Sequence, residues 1–309
     1  MAITMAVNER YDAAYLVNGS VPVKGFDIQY VDYAAVEGKT VADIFSDQFN
    51  NLTYDLIDWP FTNYLIAKDM GKPVIAIPAF PTLFNPLRGP MVNRSKGIKG
   101  AKDLEGRKIG VFGLAFNPAT WLRGMFQHHY GVDFDSFQYY ENEPNSMTGV
   151  DFPRPDRYKV ERTQGIMKMV SEGDIDAVIM ADGGIAPTDT LDRLFPDYWS
   201  EIQAYYDATG ILPTNSVVVV KEETLKANPG LAKAVADAFA EAWARYSQDA
   251  ADDDEHMGLE VAELRRRGFF PHTDGLEANR KSVEKIVQYA HEQGFIKTRF
   301  NVDDLFAKV

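Results

Sequence analysis

The chain has 309 residues, 45% hydrophobic and 25% charged, a length that buries a large core and usually divides into two domains. Its 45 acidic against 32 basic side chains, with no basic run beyond the three arginines at 265–267, argue against nucleic acid and anionic membranes as partners. With no cysteine, disulfides, thiolate zinc sites and a cysteine nucleophile are excluded.

The opening MAITMAVNERYD enters a strand almost at once, without the basic and apolar segments of a signal peptide, so a cytoplasmic protein is expected. No apolar run approaches the roughly 20 residues of a membrane span. Residues 3–7 read as a strand, and 8–12 as a polar loop opening a short helix. Residues 26–31 alternate as a strand does, and 40–50 place Val41, Ile44, Phe45 and Phe49 on one side of a helix. A strand at 54–57 is followed directly by Asp58, Trp59, Pro60, Phe61, Thr62 and Asn63. A third buried strand, 74–77, leads into Pro78, Pro81, Pro86 and Pro90, which oppose regular structure and suit a hinge.

A second run of strands and helices follows. Residues 108–114, short, apolar and set among glycines, predict a buried parallel strand. Asn117 reads as a helix cap and Pro118 as the first helical residue. Pro118, Trp121, Leu122, Met125, Phe126 and His129 then share a face, and Gly131 ends the helix. Such a strand, loop and helix start is either an ordinary packing unit or an anion site. Residues 177–180 form another buried strand, and 217–220 return the chain. Asn228-Pro229 starts a long helix with Leu231, Val235, Ala238, Phe239, Ala242 and Tyr246 on its apolar face. The last helix carries Val283, Ile286, Val287 and Ala290 and stops at Gly294. Strands alternating with helices mean an α/β fold with mostly parallel sheets, and no internal repeat is visible.

Nine segments carry a resemblance: 17–31, 54–67, 73–81, 97–111, 119–133, 172–179, 193–197, 204–213 and 275–295. The WLRG run at 121–124 and GLEANR at 275–280 are the most distinctive. In this order they resemble the type II periplasmic-binding-protein fold, in the branch that includes 4,5-dihydroxyphthalate decarboxylase. The resemblance implies two lobes, residues 1–88 with 218–309 and residues 89–217, hinged near 88–93 and 215–220. Ligand is then expected between them, at strand carboxyl ends and helix starts. It also implies non-oxidative decarboxylation of a hydroxylated aromatic, phthalate-like acid, as in aromatic catabolism, without a cofactor. The second reading is a solute-binding protein that delivers a small organic anion to an ABC transporter. The branch is expected to carry Phe-Arg-His-Ser where this chain has Asn85, Pro86, Leu87 and Arg88, and a histidine where it has Ser216. A substrate other than 4,5-dihydroxyphthalate is therefore expected.

Asp58, Glu9 and Asp12 are the acid–base candidates. Asn8, Arg10, Trp59, Asn63, Phe80, Arg88, Phe116, Asn117, Trp121, Asp182 and Asn215 are the candidates for holding a small carboxylate. Each has a plainer reading: Glu9 and Asp12 as helix caps, the aromatic residues as core, Arg88 as a surface hinge residue, Asp182 before Gly183-Gly184 as a turn. Closure should draw Asn117 towards Asp58. Arg123 and Arg280 are expected in surface ion pairs, and the acidic run 252–255 as a solvated face. Gly110 and Gly113 do not complete a dinucleotide fingerprint, no phosphate-loop motif occurs, and adjacent His128 and His129 do not suit a metal. Oligomeric state is not legible in the sequence.

Overall fold

A computed structural model describes residues 2–145, 147, 149–180 and 185–309. The chain enters through β1 (Ile3–Val7), α1 (Ala13–Val17), β2 (Ile28–Asp32), α2 (Val41–Asn51), β3 (Leu56–Pro60), α3 (Phe61–Asp69) and β4 (Val74–Ile77). It then crosses to β5 (Met91–Asn93), β6 (Lys108–Val111), α4 (Asn117–His128), β7 (Gln138–Asn142) and β8 (Lys159–Thr163). Next come α5 (Ile166–Glu172), β9 (Ala177–Ile179), β10 (Leu191–Arg193) and α6 (Tyr198–Thr209). Strand β11 (Ser216–Lys221) returns, followed by α7 (Glu222–Ala227), α8 (Leu231–Asp249), β12 (Glu255–His256), β13 (Leu259–Glu260), α9 (Val261–Arg266) and α10 (Leu276–Glu292). No helix among the described residues is long and apolar enough to cross a membrane.

Two sheets organise this order, β2-β1-β3-β11-β4 and β10-β5-β9-β6-β7-β8. In each, the strand arriving from the other half runs antiparallel to both neighbours: β11 between β3 and β4, β5 between β9 and β10. The remaining pairs are parallel, so the sheets are mixed rather than nearly all parallel. Apart from the added edge strand β8, both sheets have the same order: second, first, third, incoming, fourth. The two crossings are zipped to each other. Leu83 pairs with Thr214, the Phe84 N–H donates to the Pro213 carbonyl (3.1 Å), and the Asn215 N–H donates to the Thr82 carbonyl (2.9 Å).

Local rules account for most elements. Thr40 caps α2 in a reciprocal capping box with Asp43. Gly294, at φ +77°, supplies the left-handed residue just past α10. Strand β3 reaches further than its apolar run because β11 pairs with it as far as Pro60. Asp58 therefore lies inside a central strand, not after it. Helix α4 begins at Asn117 itself, with Phe116 at the cap position, and ends at His128, short of Gly131. Helix α3 is buried all round from Phe61 to Ala67, which obliges polar Thr62 to find a partner. That partner comes from α4.

Helix α10 packs on both α3 and α4, across the two halves. Here Arg123 departs from the surface role expected of it: it is fully buried, with Nε donating to Gln293 Oε1 (2.8 Å) and Nη2 to the Leu114 carbonyl. The rings of Phe295, Tyr139 and Tyr158 surround its guanidinium at 5.3–6.0 Å. Arg280 does sit at the surface, paired with Glu277 and Asp303. One hydrophobic cluster runs through both halves, including Ile57, Trp59, Ile109, Trp121 and Val217.

Candidate functional site

The carboxyl end of β1 delivers the loop that carries Asn8, Glu9, Arg10 and Asp12. Tyr11 in this loop has φ +52°, a conformation that costs an aromatic residue energy and has to be held by its surroundings. Its ring lies 4.6 Å from that of His256 and 5.6 Å from that of Tyr246, and its hydroxyl accepts the Met257 N–H (2.9 Å). The turn sends neighbouring side chains to different places. Asp12 is buried and caps α1, its Oδ1 accepting from the Ala13 N–H at 2.9 Å. Glu9 stays exposed, its N–H bonded to Asp32. Asn8 and Arg10 are half-buried, with the Arg10 guanidinium 5.6 Å from the Tyr11 ring.

Asp12 lies within reach of the charges of Asp58, which β3 holds in the interior, and of Asp274, which precedes α10. Asp58 Oδ2 accepts from the Tyr33 hydroxyl at 3.3 Å, whereas Oδ1 has no hydrogen bond among the described residues. Asp274 accepts from the Phe80 N–H at 3.4 Å. Burial pushes Asp12 well above the ordinary carboxyl range, and the charges of Asp58 and Asp274 push it further. Burial also raises Asp58, against the opposing influence of Ser216, Arg10 and Tyr33. Asp274 is raised by burial as well. The charge therefore rests more easily on Asp58, which has donors, and the proton on Asp12, which faces two acids. Of the three acid–base candidates, the fold joins Asp12 and Asp58, adds Asp274 and leaves Glu9 in solvent.

The predicted cleft contacts behave differently. Asn117 does not cap its helix: its Oδ1 accepts from Thr62 N–H (3.2 Å) and hydroxyl (2.7 Å), and its Nδ2 donates to the Thr214 carbonyl (3.2 Å) and Asn215 Oδ1 (3.3 Å). Trp121 Nε1 donates to the same Thr214 carbonyl at 2.9 Å, and the Phe61 N–H to the Asn215 carbonyl at 2.9 Å. These residues fasten the halves together, and Asn117 meets the first half through Thr62 at the start of α3 rather than through Asp58. Trp59 and Asn63 are buried, Trp59 against Phe49, and Phe80 lies parallel to Phe61 with centroids 6.5 Å apart. Phe116 is half-buried beside Phe112. Asp182 lies outside the described residues. Arg88 ends the turn Pro86–Arg88 and shares the Tyr198 ring with Arg193, at 5.7 and 5.6 Å. Among the described residues no His, Asp and Glu group is arranged to hold a metal ion.

Sequence reasoning missed His256 and His272. Both are buried beside Trp243, whose ring stacks on His272 at 3.9 Å and whose Nε1 donates to the His272 carbonyl at 2.9 Å. No spacing motif marks them; only the aromatic richness around 269–272 hinted at a packed site. Burial, then the charge of Arg10, pulls His256 down to about 4; burial, then His256, pulls His272 down to about 3. A lowered histidine binds fewer protons folded than unfolded. Its neutral burial is therefore fully stabilising above the ordinary value near 6.5, and that stability is lost as pH falls from there towards 3. Asp12, Asp58 and Asp274, being raised, act oppositely, since acid relieves their burial. His272→Gln is therefore expected to lose less stability between pH 7 and pH 4 than wild type, by ~1–3 kcal/mol. Thermal unfolding of both proteins at the two pH values checks this; equal losses would assign the acid sensitivity elsewhere.

Two mixed α/β sheets with one shared strand order and exchanged strands define a two-lobed periplasmic-binding-protein fold. The periplasmic aliphatic sulphonate binding protein SsuA from Escherichia coli has this fold, with a TM-score of 0.58, 14% identity and coverage of 99% of this chain and 97% of that one. So does the desulfurization enzyme DSZB, with a TM-score of 0.53, 16% identity and coverage of 99% and 96%. Residues 59–153 match the family described as NMT1/THI5 like. The 4,5-dihydroxyphthalate decarboxylase of Comamonas testosteroni is 24% identical over 99% of this chain and 96% of its own length. That of Pseudomonas putida is 25% identical over 57% and 69%. The chain is a divergent relative of these decarboxylases.

Proposed function

We propose that this chain is a carboxy-lyase that removes CO2, without oxidation, from a hydroxylated aromatic acid bound between its lobes. The observation that carries the reading is the buried Asp12–Asp58 pair, with one Asp58 oxygen lacking any hydrogen bond among the described residues. A site that only binds anions needs donors, and buried acids work against it. A reaction that protonates a ring carbon needs a stored proton. The decarboxylase names of the sequence relatives support the same reading. In the proposed step the ring C–COO⁻ bond breaks and its electron pair stays on the ring carbon. That carbon takes a proton from the Asp12–Asp58 pair, CO2 leaves, and the pair recovers one proton from solvent. The halves 1–88 with 218–309 and 89–217, parting near 88–93 and 215–220, would admit the substrate.

Hydroxylated aromatic acids screened for thermal stabilisation, then assayed for CO2 and the ring product, test the proposal. A tight-binding acid that never loses CO2 would replace it with the solute-binding reading. Cations must hold the substrate carboxylate against the acidic whole. Arg88→Ala is expected to weaken binding of a stabilising acid by ~1.5–3 kcal/mol, the usual worth of a charge-assisted hydrogen bond. Titration calorimetry measures it, and unchanged affinity would move the carboxylate to Arg10.

A further inference from the structure

Between the hinge segment, α6 and the β12–α9 insertion lies a cavity of about 40 Å³ walled by Ile202, Leu212, Leu264 and Phe269. His256 contributes a polar group to this apolar wall and is itself 4% exposed. Its Nδ1 is turned to the Tyr246 hydroxyl, 3.3 Å away, and Tyr246 does not line the cavity. Its Nε2 is buried and has no hydrogen-bond partner among the described residues. Native interiors rarely leave such a nitrogen unsatisfied, because the group then carries its full desolvation cost.

We infer that this cavity is the subsite for the hydroxyl-bearing ring of an aromatic ligand, with His256 Nε2 meeting the hydroxyl. The inference rests on the aromatic-acid reading for its place in a reaction, and specifies which wall takes the ring. If Tyr246 donates to Nδ1, Nε2 carries the hydrogen and donates; if Nδ1–H donates to Tyr246, Nε2 accepts. A hydroxyl serves either tautomer, whereas a carboxylate serves only the first. Apart from Asn85 and His272 the remaining walls are apolar, which suits a hydroxyl carried on an apolar body. The Arg10 guanidinium lies 5.6 Å from the Tyr11 ring, which is itself 4.6 Å from the His256 ring, and a cation on this side favours a phenol, able to bear partial negative charge, over an aliphatic alcohol. The space suits one or two waters rather than a ring, so the assignment requires the walls, which include unbranched, adaptable Met257, to move apart on binding.

The test is calorimetric titration of the whole chain with phenol and with toluene. Wild type is expected to bind both at millimolar concentration. His256→Phe keeps the ring packing and removes Nε2. It should weaken phenol about five- to tenfold, the worth of one hydrogen bond, while toluene changes less than twofold and so reports that the variant is folded. Leu264→Trp fills the cavity and should weaken both ligands. An unchanged phenol-to-toluene ratio in His256→Phe, unchanged binding in Leu264→Trp, or no binding of phenol to wild type each overturns the assignment. Loss of the subsite with CO2 release intact relocates the ring and leaves the carboxy-lyase standing; phenol binding without CO2 release does the reverse.

Discussion

Asp58→Asn is expected to cut CO2 release by ~10²–10⁴-fold while leaving affinity for a stabilising aromatic acid within a few-fold. Asparagine keeps the shape and accepts from Tyr33 as the carboxylate does, but it has no proton to transfer. Asp12→Asn should fall in the same range, because its amide oxygen still accepts from the Ala13 N–H and preserves the cap on α1. If the two acids work as one proton store, the double variant should be little worse than either single one. Stability supplies a separate readout. Both carboxyls are raised by burial, so each costs stability at neutral pH, and replacing either by a neutral amide should leave the unfolding temperature unchanged or higher. Activity that collapses as stability holds or rises marks a functional pair; turnover within twofold of wild type in both variants would leave it a structural feature. The wild-type rate should also decline as pH rises and the pair loses its proton, and Asp58→Asn should move or remove that limb.

What the sequence conceals follows the distance over which each residue finds its partner. Strands 3–7 and 74–77 and the capped helix from Thr40 depend on periodicity and on a cap three residues away, and all are legible. Asn117 has the residue type and the following proline of a cap, yet a partner 55 residues earlier, Thr62, takes its side chain instead. Read from its apolar neighbours alone, Asp58 follows a strand; pairing with β11, far along the chain, draws it inside. The antiparallel entry of β5 and β11 is equally invisible, because direction in a sheet has no local signature. Glu9 and Asp12 look equivalent in sequence, and the positive φ at Tyr11 separates them into solvent and core. Asp274, His256 and His272 reach the site from a segment with no motif, so chemistry alone could not nominate them. Arg123 looks like a surface helix residue until α10 covers it.

The same covering helix explains the WLRG run and sets the second large effect. Trp121 ties α4 to the returning segment, Arg123 ties it to Gln293, and Gly124 lets the Tyr289 ring lie directly on the helix backbone. A Cβ at position 124 would sit 2.1–2.4 Å from three atoms of that ring. The ring has little freedom to retreat, with Trp121 edge-on at 5.6 Å and His128 stacked at 5.4 Å. In an open helix Gly→Ala stabilises by about 1 kcal/mol. Here the sign should reverse, because overpacking a filled interface costs ~1–3 kcal/mol and sometimes more. Gly124→Ala is therefore expected to lower the unfolding midpoint and loosen α4 against α10, where the two halves are joined. The companion measurement is the same substitution in a Tyr289→Leu background, where the smaller side chain leaves space for the methyl. Denaturant unfolding of the four proteins should show Gly124→Ala costing little or nothing there, with the coupling between the two sites equal to most of its cost in wild type. If the full cost persists without the tyrosine ring, the methyl meets something else, and close approach of Tyr289 is not what requires glycine at 124.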